Sequence, residues 1–265
     1  MNRVVLLLLI MLVVFSSCRQ SSNQPSASTE SVKPAGKLFI IGGGDRPDAM
    51  IRSLIEIAEV DSAGYIVVLP MSSAEPDTSA YYAARQFERQ GIEKVYAMNI
   101  QSAQQMSPSV LDSIRQAAMI YISGGSQNRF MDIARETALE NSIRDAYKRG
   151  AVVAGTSAGA AVMSELMITG DERKHPEYTG DFRTIEANNI LLETGLGLIP
   201  EAIIDQHFIW RMRMNRLISA CLENPGKTGI GIDEATAILV DGSRATVYGE
   251  SQVIVLRNQG REATI

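Results

Sequence analysis

Histidine and cysteine are scarce, with two of each in 265 residues. The first shortage restricts any imidazole base to His175 or His207. The second leaves only Cys18 and Cys221, too few for a disulfide framework. No cluster of residues has metal-ligand spacing, and no G-x-G-x-x-G or Walker lysine follows a strand, so neither a metal nor a cofactor is expected. Positive charge is also short. Twenty-five Lys and Arg against 30 Asp and Glu give a net charge of -5 and a pI near 5.2. That balance argues against a nucleic-acid binder, which needs a basic face, and is compatible with attraction of cationic substrates.

Only one long apolar run exists, Val4 to Phe15, preceded by Arg3. It falls short of the roughly 20 residues of a relaxed membrane span and fits the hydrophobic region of an export signal. Ser16-Ser17-Cys18 follows directly. Small residues before a cysteine resemble a bacterial lipobox, which implies acylation at Cys18 and a membrane-anchored lipoprotein on the periplasmic or cell-surface side, although Phe15 departs from the usual aliphatic residue. With Cys18 lipidated, Cys221 has no partner, and stability must come from the core. Residues 19–36 are rich in Ser, Gln, Asn and Pro without apolar periodicity, and read as a disordered tether. The remaining residues, 37–265, suit one catalytic domain with a sizeable core.

Strand-like and helix-like segments alternate through that domain, the pattern of an α/β fold with a doubly wound, mostly parallel sheet. Lys37 to Ile41, Tyr65 to Leu69, Lys94 to Met98, Met119 to Ile122 and Ala151 to Ala154 read as strands, with helices over Ala49 to Glu59, Ser79 to Arg89 and Val110 to Ala117. Gly42-Gly43-Gly44 and Ser123-Gly124-Gly125 are then turns at the carboxyl edge of the sheet, where sites gather.

Within this frame, Gly155-Thr156-Ser157-Ala158-Gly159 is a G-x-S-x-G turn between a buried strand and a small-residue helix expected to reach about Ser164. Such an elbow lifts the Ser157 hydroxyl above the sheet edge, with the helix amino terminus aimed at the same point. The amides of Ala158 and Gly125 are candidates for a two-donor oxyanion hole. A nucleophilic serine needs a base. His175 lies in a polar, loop-like stretch, whereas His207 follows the apolar run Ala202 to Ile204 and emerges at a strand end, as a base should. An orienting acid is then expected at Asp233 or Glu234, which close Gly229 to Ile232. Side chains alternate along a strand, so only one of the two can reach the histidine.

Three segments carry a resemblance: Gly155 to Glu165, the block Asp205-Gln-His-Phe-x-x-Arg-x-Arg-x-x-Arg216, and Gly231-Ile-Asp-Glu-Ala235. Together they are similar to the cyanophycinases of the S51 serine peptidases. The resemblance runs from about Lys37 to Leu256. It implies a flavodoxin-like sheet shared with class I glutamine amidotransferases, a homodimer, and Ser157, His207 and Glu234 as nucleophile, base and acid. It also implies substrate-binding roles for Gln127, Asp205, Gln206, Arg211, Arg213 and Arg216, and hydrolysis of cyanophycin to β-aspartyl-arginine. Planar guanidinium groups suit a carboxylate-bearing substrate. Arg211, Arg213 and Arg216, offset by two and three, would not form one stripe on a regular helix and are expected to converge from a helix start. Ser126 stands where many cyanophycinases carry an acid. The alternatives are an aspartyl dipeptidase like peptidase E, against which the three arginines argue, and a non-catalytic binding lipoprotein, which has no need of a triad.

Overall fold

Five strands with few polar residues lie side by side in the main sheet. The structure, a computed structural model, describes residues 36–60, 64–177, 179–180 and 182–258. The expected leader with Cys18, the tether before Gly36 and residues 259–265 lie outside them. The described residues fall in one unit, Lys33–Ile265. β1 (Lys37–Ile41), β2 (Ile66–Leu69), β3 (Val95–Ala97), β4 (Met119–Ile122) and β5 (Val152–Thr156) form the parallel part of a seven-stranded sheet. Continuous apolar runs such as Ile66-Val-Val-Leu69 belong in such strands because helices cover both faces.

Alternation sorts the side chains between those faces. Leu38, Ile40, Val67, Ile120 and Val153 point to one side. There they meet α3 (Pro108–Gln116), α4 (Gln127–Ala134) and α5 (Ala138–Lys148) through Leu111, Ile114, Phe130, Leu139 and Ile143. Phe39, Ile41, Val68 and Tyr121 point to the other, against Met50 and Leu54 of α1 (Asp48–Ile57) and Phe87 of α2 (Pro76–Glu88). Each fully buried side chain of this size stabilises by about 1.5–3 kcal/mol. Local signals fix the helix starts. Ser107 accepts the Val110 amide, with Pro108 in the first helical position, and Ser126 accepts the Arg129 amide; both are favoured caps.

The strand order is β11 (Arg244–Gly249), β10 (Thr236–Asp241), β1, β5, β4, β2, β3. Strands β2 to β5 repeat the 2-1-3-4 run of the flavodoxin order, and β1 takes the fifth place. Two antiparallel strands, β10 and β11, extend the sheet beyond β1. The register pairs Ile41 with Thr156 and Ile122 with Gly155, so β1, β4 and β5 end level. Their following loops therefore meet at one edge.

The chain departs from the expected pattern after β5. β6 (Leu166–Glu172) and β7 (Ile190–Thr194) pair as a separate ribbon, and β8 (Ala202–Gln206), β9 (Thr228–Ile232) and β12 (Val253–Arg257) form a third sheet. β8 and β9 run parallel, pairing Gln206 with Ile232. His207 and Asp233 therefore leave neighbouring strand ends. A small core of Ile203, Phe208, Leu217, Ala220 and Cys221 joins this sheet to α7 (Met214–Glu223).

Candidate active site

Ser157 stands at a sharp bend of the chain. β5 ends at Thr156, Ser157 takes φ 54° and ψ −112°, and α6 (Ala158–Ala161) starts at once. A non-glycine residue holds such a conformation only when its surroundings over-determine it. Those surroundings are visible. The Ser157 amide donates to the Ile41 carbonyl at 3.1 Å, and the Ala160 and Ala161 amides donate to the Ser157 carbonyl at 3.0 and 3.1 Å. The two motif glycines permit the close approach. A Cβ on Gly155 would overlap the Gly159 carbonyl, and one on Gly159 would overlap the Ile122 carbonyl of β4.

α6 is shorter than the helix expected to run to about Ser164, because the chain turns through Val162 and Met163 into β6. Four residues carry little macrodipole, which needs aligned peptides over several turns. Any donor for an oxyanion here would be an individual amide rather than a helix dipole. Ala158 is the first residue of α6 and adjoins Ser157. The Gly124-Gly125 turn borders the same hydroxyl, since a Cβ on Gly124 would lie 3.3 Å from the Ser157 Cβ. Gly125, at φ 141°, packs against the Ser72 carbonyl, which accepts the Ser126 amide at 2.7 Å and Arg129 Nη1 at 2.7 Å. This turn is anchored by the loop after β2, at the point where the strand order reverses.

His207 faces Ser157 from β8. Its Nε2 lies 2.8 Å from Ser157 Oγ, and its Nδ1 lies 2.5 Å from Glu234 Oε1. With the proton on Nδ1, the ring donates to the carboxylate and accepts from the serine hydroxyl. The ring is buried while Ser157 is half-buried, so the hydroxyl can be reached and the imidazole is sheltered. Burial lowers the His207 pKa; the hydrogen bond to Glu234 opposes this, and the charges of Arg211 and Arg213 reinforce it. The neutral ring a general base requires is thereby favoured. Its backbone is bent too, at φ 49°, with its amide donating to the Gly42 carbonyl at 2.7 Å. Gly43 fits flat against the imidazole, and Gly44 lies against the Glu234 carboxylate. The triple-glycine turn is the floor of the site.

The two adjacent acids take different partners. Asp233 turns away from His207. Its Oδ1 accepts the amides of Ile209 and Trp210 at 3.0 and 2.9 Å, and its Oδ2 accepts the Ser251 hydroxyl at 2.7 Å. Burial opposes its ionisation, but the amides of Trp210, Glu234 and Ile209 and the Ser251 hydroxyl together hold its carboxyl below the usual range. Asp233 clamps the turn that carries His207 into α7. Its pattern in the sequence, an acid beside another acid, carries no signal of this use.

The polar block after β8 is less open than expected. Arg211 is exposed, and its amide donates to the His207 carbonyl at 2.9 Å. Asp205 and Arg216 are both buried and held to each other by two parallel bonds, Nε to Oδ2 at 2.7 Å and Nη2 to Oδ1. Arg213 Nη1 donates to the Gln206 carbonyl at 2.8 Å and to Gln206 Oε1 at 2.6 Å. The expected substrate contact by Asp205 and Arg216 is therefore corrected. Each saturates the other out of solvent, and Arg213 and Gln206 are joined in the same frame. The Gln127 Nε2 donates to the carbonyls of Ile168 and Thr169 at 2.9 and 2.6 Å, tying α4 to β6. Ser126 caps α4. His175 is exposed and lies 3.0 Å from Glu186, remote in role from Ser157.

A model of peptidase family S51 matches residues 38–248. The cyanophycinase of Trichormus variabilis is 38% identical over 225 residues, which cover 83% of this chain and 72% of that protein. The peptidase E of Salmonella arizonae is 28% identical over 161 residues, 58% of this chain and 64% of that protein. Among solved structures, a peptidase from an acI-B1 actinobacterium superposes with a TM-score of 0.65 at 21% identity, over 85% of this chain and 92% of its own; this likeness concerns the fold.

Proposed function

The chain belongs to peptidase family S51, and from that premise we propose that it is a serine exopeptidase that hydrolyses cyanophycin to β-aspartyl-arginine. The observation that carries this reading is the unbroken hydrogen-bonded series Ser157–His207–Glu234 at a strained elbow. Ser157 Oγ attacks the scissile carbonyl while His207 Nε2 takes the hydroxyl proton. Glu234 holds the imidazole in the required tautomer and balances the imidazolium that forms. The carbonyl oxygen, now an oxyanion, lies toward the amides of Gly125 and Ala158. Losing one such donor costs about 10²–10³ in rate. Collapse passes the proton from His207 to the leaving amine and leaves an acyl-enzyme on Ser157, which water hydrolyses by the same steps in reverse order.

Substrate recognition falls to groups still turned outward. The exposed Arg211 offers a guanidinium to a substrate carboxylate. The closer and longer match to a cyanophycinase than to a peptidase E favours the polymer over an α-aspartyl dipeptide. Incubation of purified cyanophycin with the protein and with Ser157→Ala, read by mass spectrometry, tests the reading. Release of β-aspartyl-arginine by the wild type alone is expected, and intact polymer in both would sink it.

We also propose that the enzyme is exported and tethered as a lipoprotein through Cys18, and that it forms a homodimer. The first rests on the leader and the small residues before Cys18, the second on the resemblance to cyanophycinases. Mass spectrometry of the mature amino terminus should find an acylated Cys18. Recovery of an unprocessed chain from the cytosol would overturn the tether.

A further inference from the structure

Arg216 touches two separate parts of the chain at once. Along one edge its guanidinium closes on Asp205, the residue two before His207. On its face, the guanidinium carbon lies 4.5 Å from the centre of the Phe182 ring. Asn215, its neighbour, donates to the carbonyls of Phe182 and Arg183 at 3.0 and 3.1 Å. Asp205 also accepts the Gln206 amide at 2.8 Å. The first turn of α7 thus grips the end of β8, which presents His207, and the stretch from Phe182 that leads into β7.

A substrate-binding arginine keeps its fork toward the ligand. This fork is closed by a carboxylate at its edge and by a ring on its face, and the side chain is 1% exposed. We propose that Arg216 is a positioning residue: with Asp205 it sets His207 against Ser157, and through Phe182 it couples that setting to the chain entering β7. The inference rests on the reading of Ser157 and His207 as nucleophile and base. Only a planar, delocalised cation can bond a carboxylate edge-on and stack on an aromatic ring together, which an ammonium group cannot reproduce. The need for such bracing is visible in His207, whose left-handed backbone must be held by its surroundings.

The test uses the full-length protein and a small alkyl fluorophosphonate. Ser157 Oγ forms a bond to phosphorus, fluoride leaves, and His207 takes the serine proton. The probe carries neither carboxylate nor guanidinium, so its labelling rate reads the activation of Ser157 apart from substrate recognition. Arg216→Lys is expected to label at least about tenfold more slowly, since a misplacement near 1 Å can cost on the order of 100-fold. Phe182→Leu keeps the apolar bulk and should slow labelling several-fold at temperatures well below its Tm. In both, kcat for the peptide substrate should fall more than KM rises. Labelling at the wild-type rate with only KM raised would overturn the proposal and return Arg216 to substrate binding. Should Arg216→Lys fail to fold, the Phe182→Leu labelling rate decides in the same way. Wild-type protein that does not label at Ser157 would overturn the nucleophile reading itself, and the positioning role with it, whereas slow labelling confined to the variants supports both.

Discussion

Asp233 and Glu234 are adjacent in the chain and serve opposite sides of the same turn. Glu234 Oε1 meets His207 Nδ1 at 2.5 Å, while Asp233 Oδ1 collects the amides of Ile209 and Trp210. One carboxylate orients the ring, and the other fixes the backbone that carries the ring away from β8. A strand end placed beside another strand end makes this division possible, because successive side chains leave on opposite faces.

Substitution separates the two roles. Glu234→Gln should lower kcat by roughly 10²–10⁴, the range of general-base assistance, with little change in Tm. Asp233→Asn should keep a larger share of activity but cost about 1–3 kcal/mol, since buried amides lose part of a charged acceptor. Steady-state kinetics and thermal melts of both variants check this; equal losses of kcat would contradict it. The Asp233 carboxyl is held below its ordinary 3.8. Its contribution to stability is therefore complete above that value and is lost as pH falls through the folded pKa.

The acid limb of kcat/KM should lie below pH 6.5, the ordinary value for histidine, because burial disfavours the charged His207 ring and Arg211 and Arg213 add to the effect, against the pull of Glu234. Arg211→Gln removes one of those cations and should move the limb upward. The shift should shrink in high salt, as Arg211 is exposed. A limb at or above 6.5 in the wild type would contradict this electrostatic account. Stability follows the same sign. As pH falls below 6.5 the unfolded chain binds the proton first, so the native state loses stability down to the folded pKa.

Gly43→Ala should lower kcat on the order of 100-fold, the scale of a displacement near 1 Å in a catalytic group. The new methyl would overlap the His207 imidazole, and φ 116° is already unfavourable for alanine. A crystal structure of the variant should find the ring moved off Ser157. Wild-type turnover would show that the floor of the site can yield.

Cys221 should resist alkylation in the native protein. Burial pushes its thiol up to about 11, opposed by the Gly229 amide, and thiolate is the reactive form. Iodoacetamide at pH 8, followed by mass spectrometry, should modify it only after denaturation. Rapid labelling of folded protein would mean that the core between α7 and β9 opens readily.

Much of the site is legible in the residues themselves. With two histidines in the chain an imidazole base would be one of two, and a strand end distinguishes His207 from His175. The elbow is written in Gly155 and Gly159, residues that leave room for carbonyls of α6 and β4. The alternation of apolar segments implies the parallel sheet, because strands covered on both faces carry no polar period. The third sheet is not legible in this way, because β8, β9 and β12 have the same short apolar pattern as strands of the main sheet. Nothing in a strand's own residues names the partner beside which it pairs.

Residue order alone settles the chemistry available: a serine on a tight turn, one well-placed histidine, an acid in either of two positions, and arginines spaced to leave a helix start. Packing in three dimensions sets the direction of each side chain. It places Glu234 on His207 and turns Asp233 to the Ile209 and Trp210 amides. It also draws Arg216 inward to Asp205 and Phe182, where the resemblance to cyanophycinases implies a substrate contact. The physical reason is common to these cases. Residue type dictates which bonds a group can make, but a charge or hydrogen-bond donor takes the partner that folding brings within about 3 Å, and that partner is often far away along the chain.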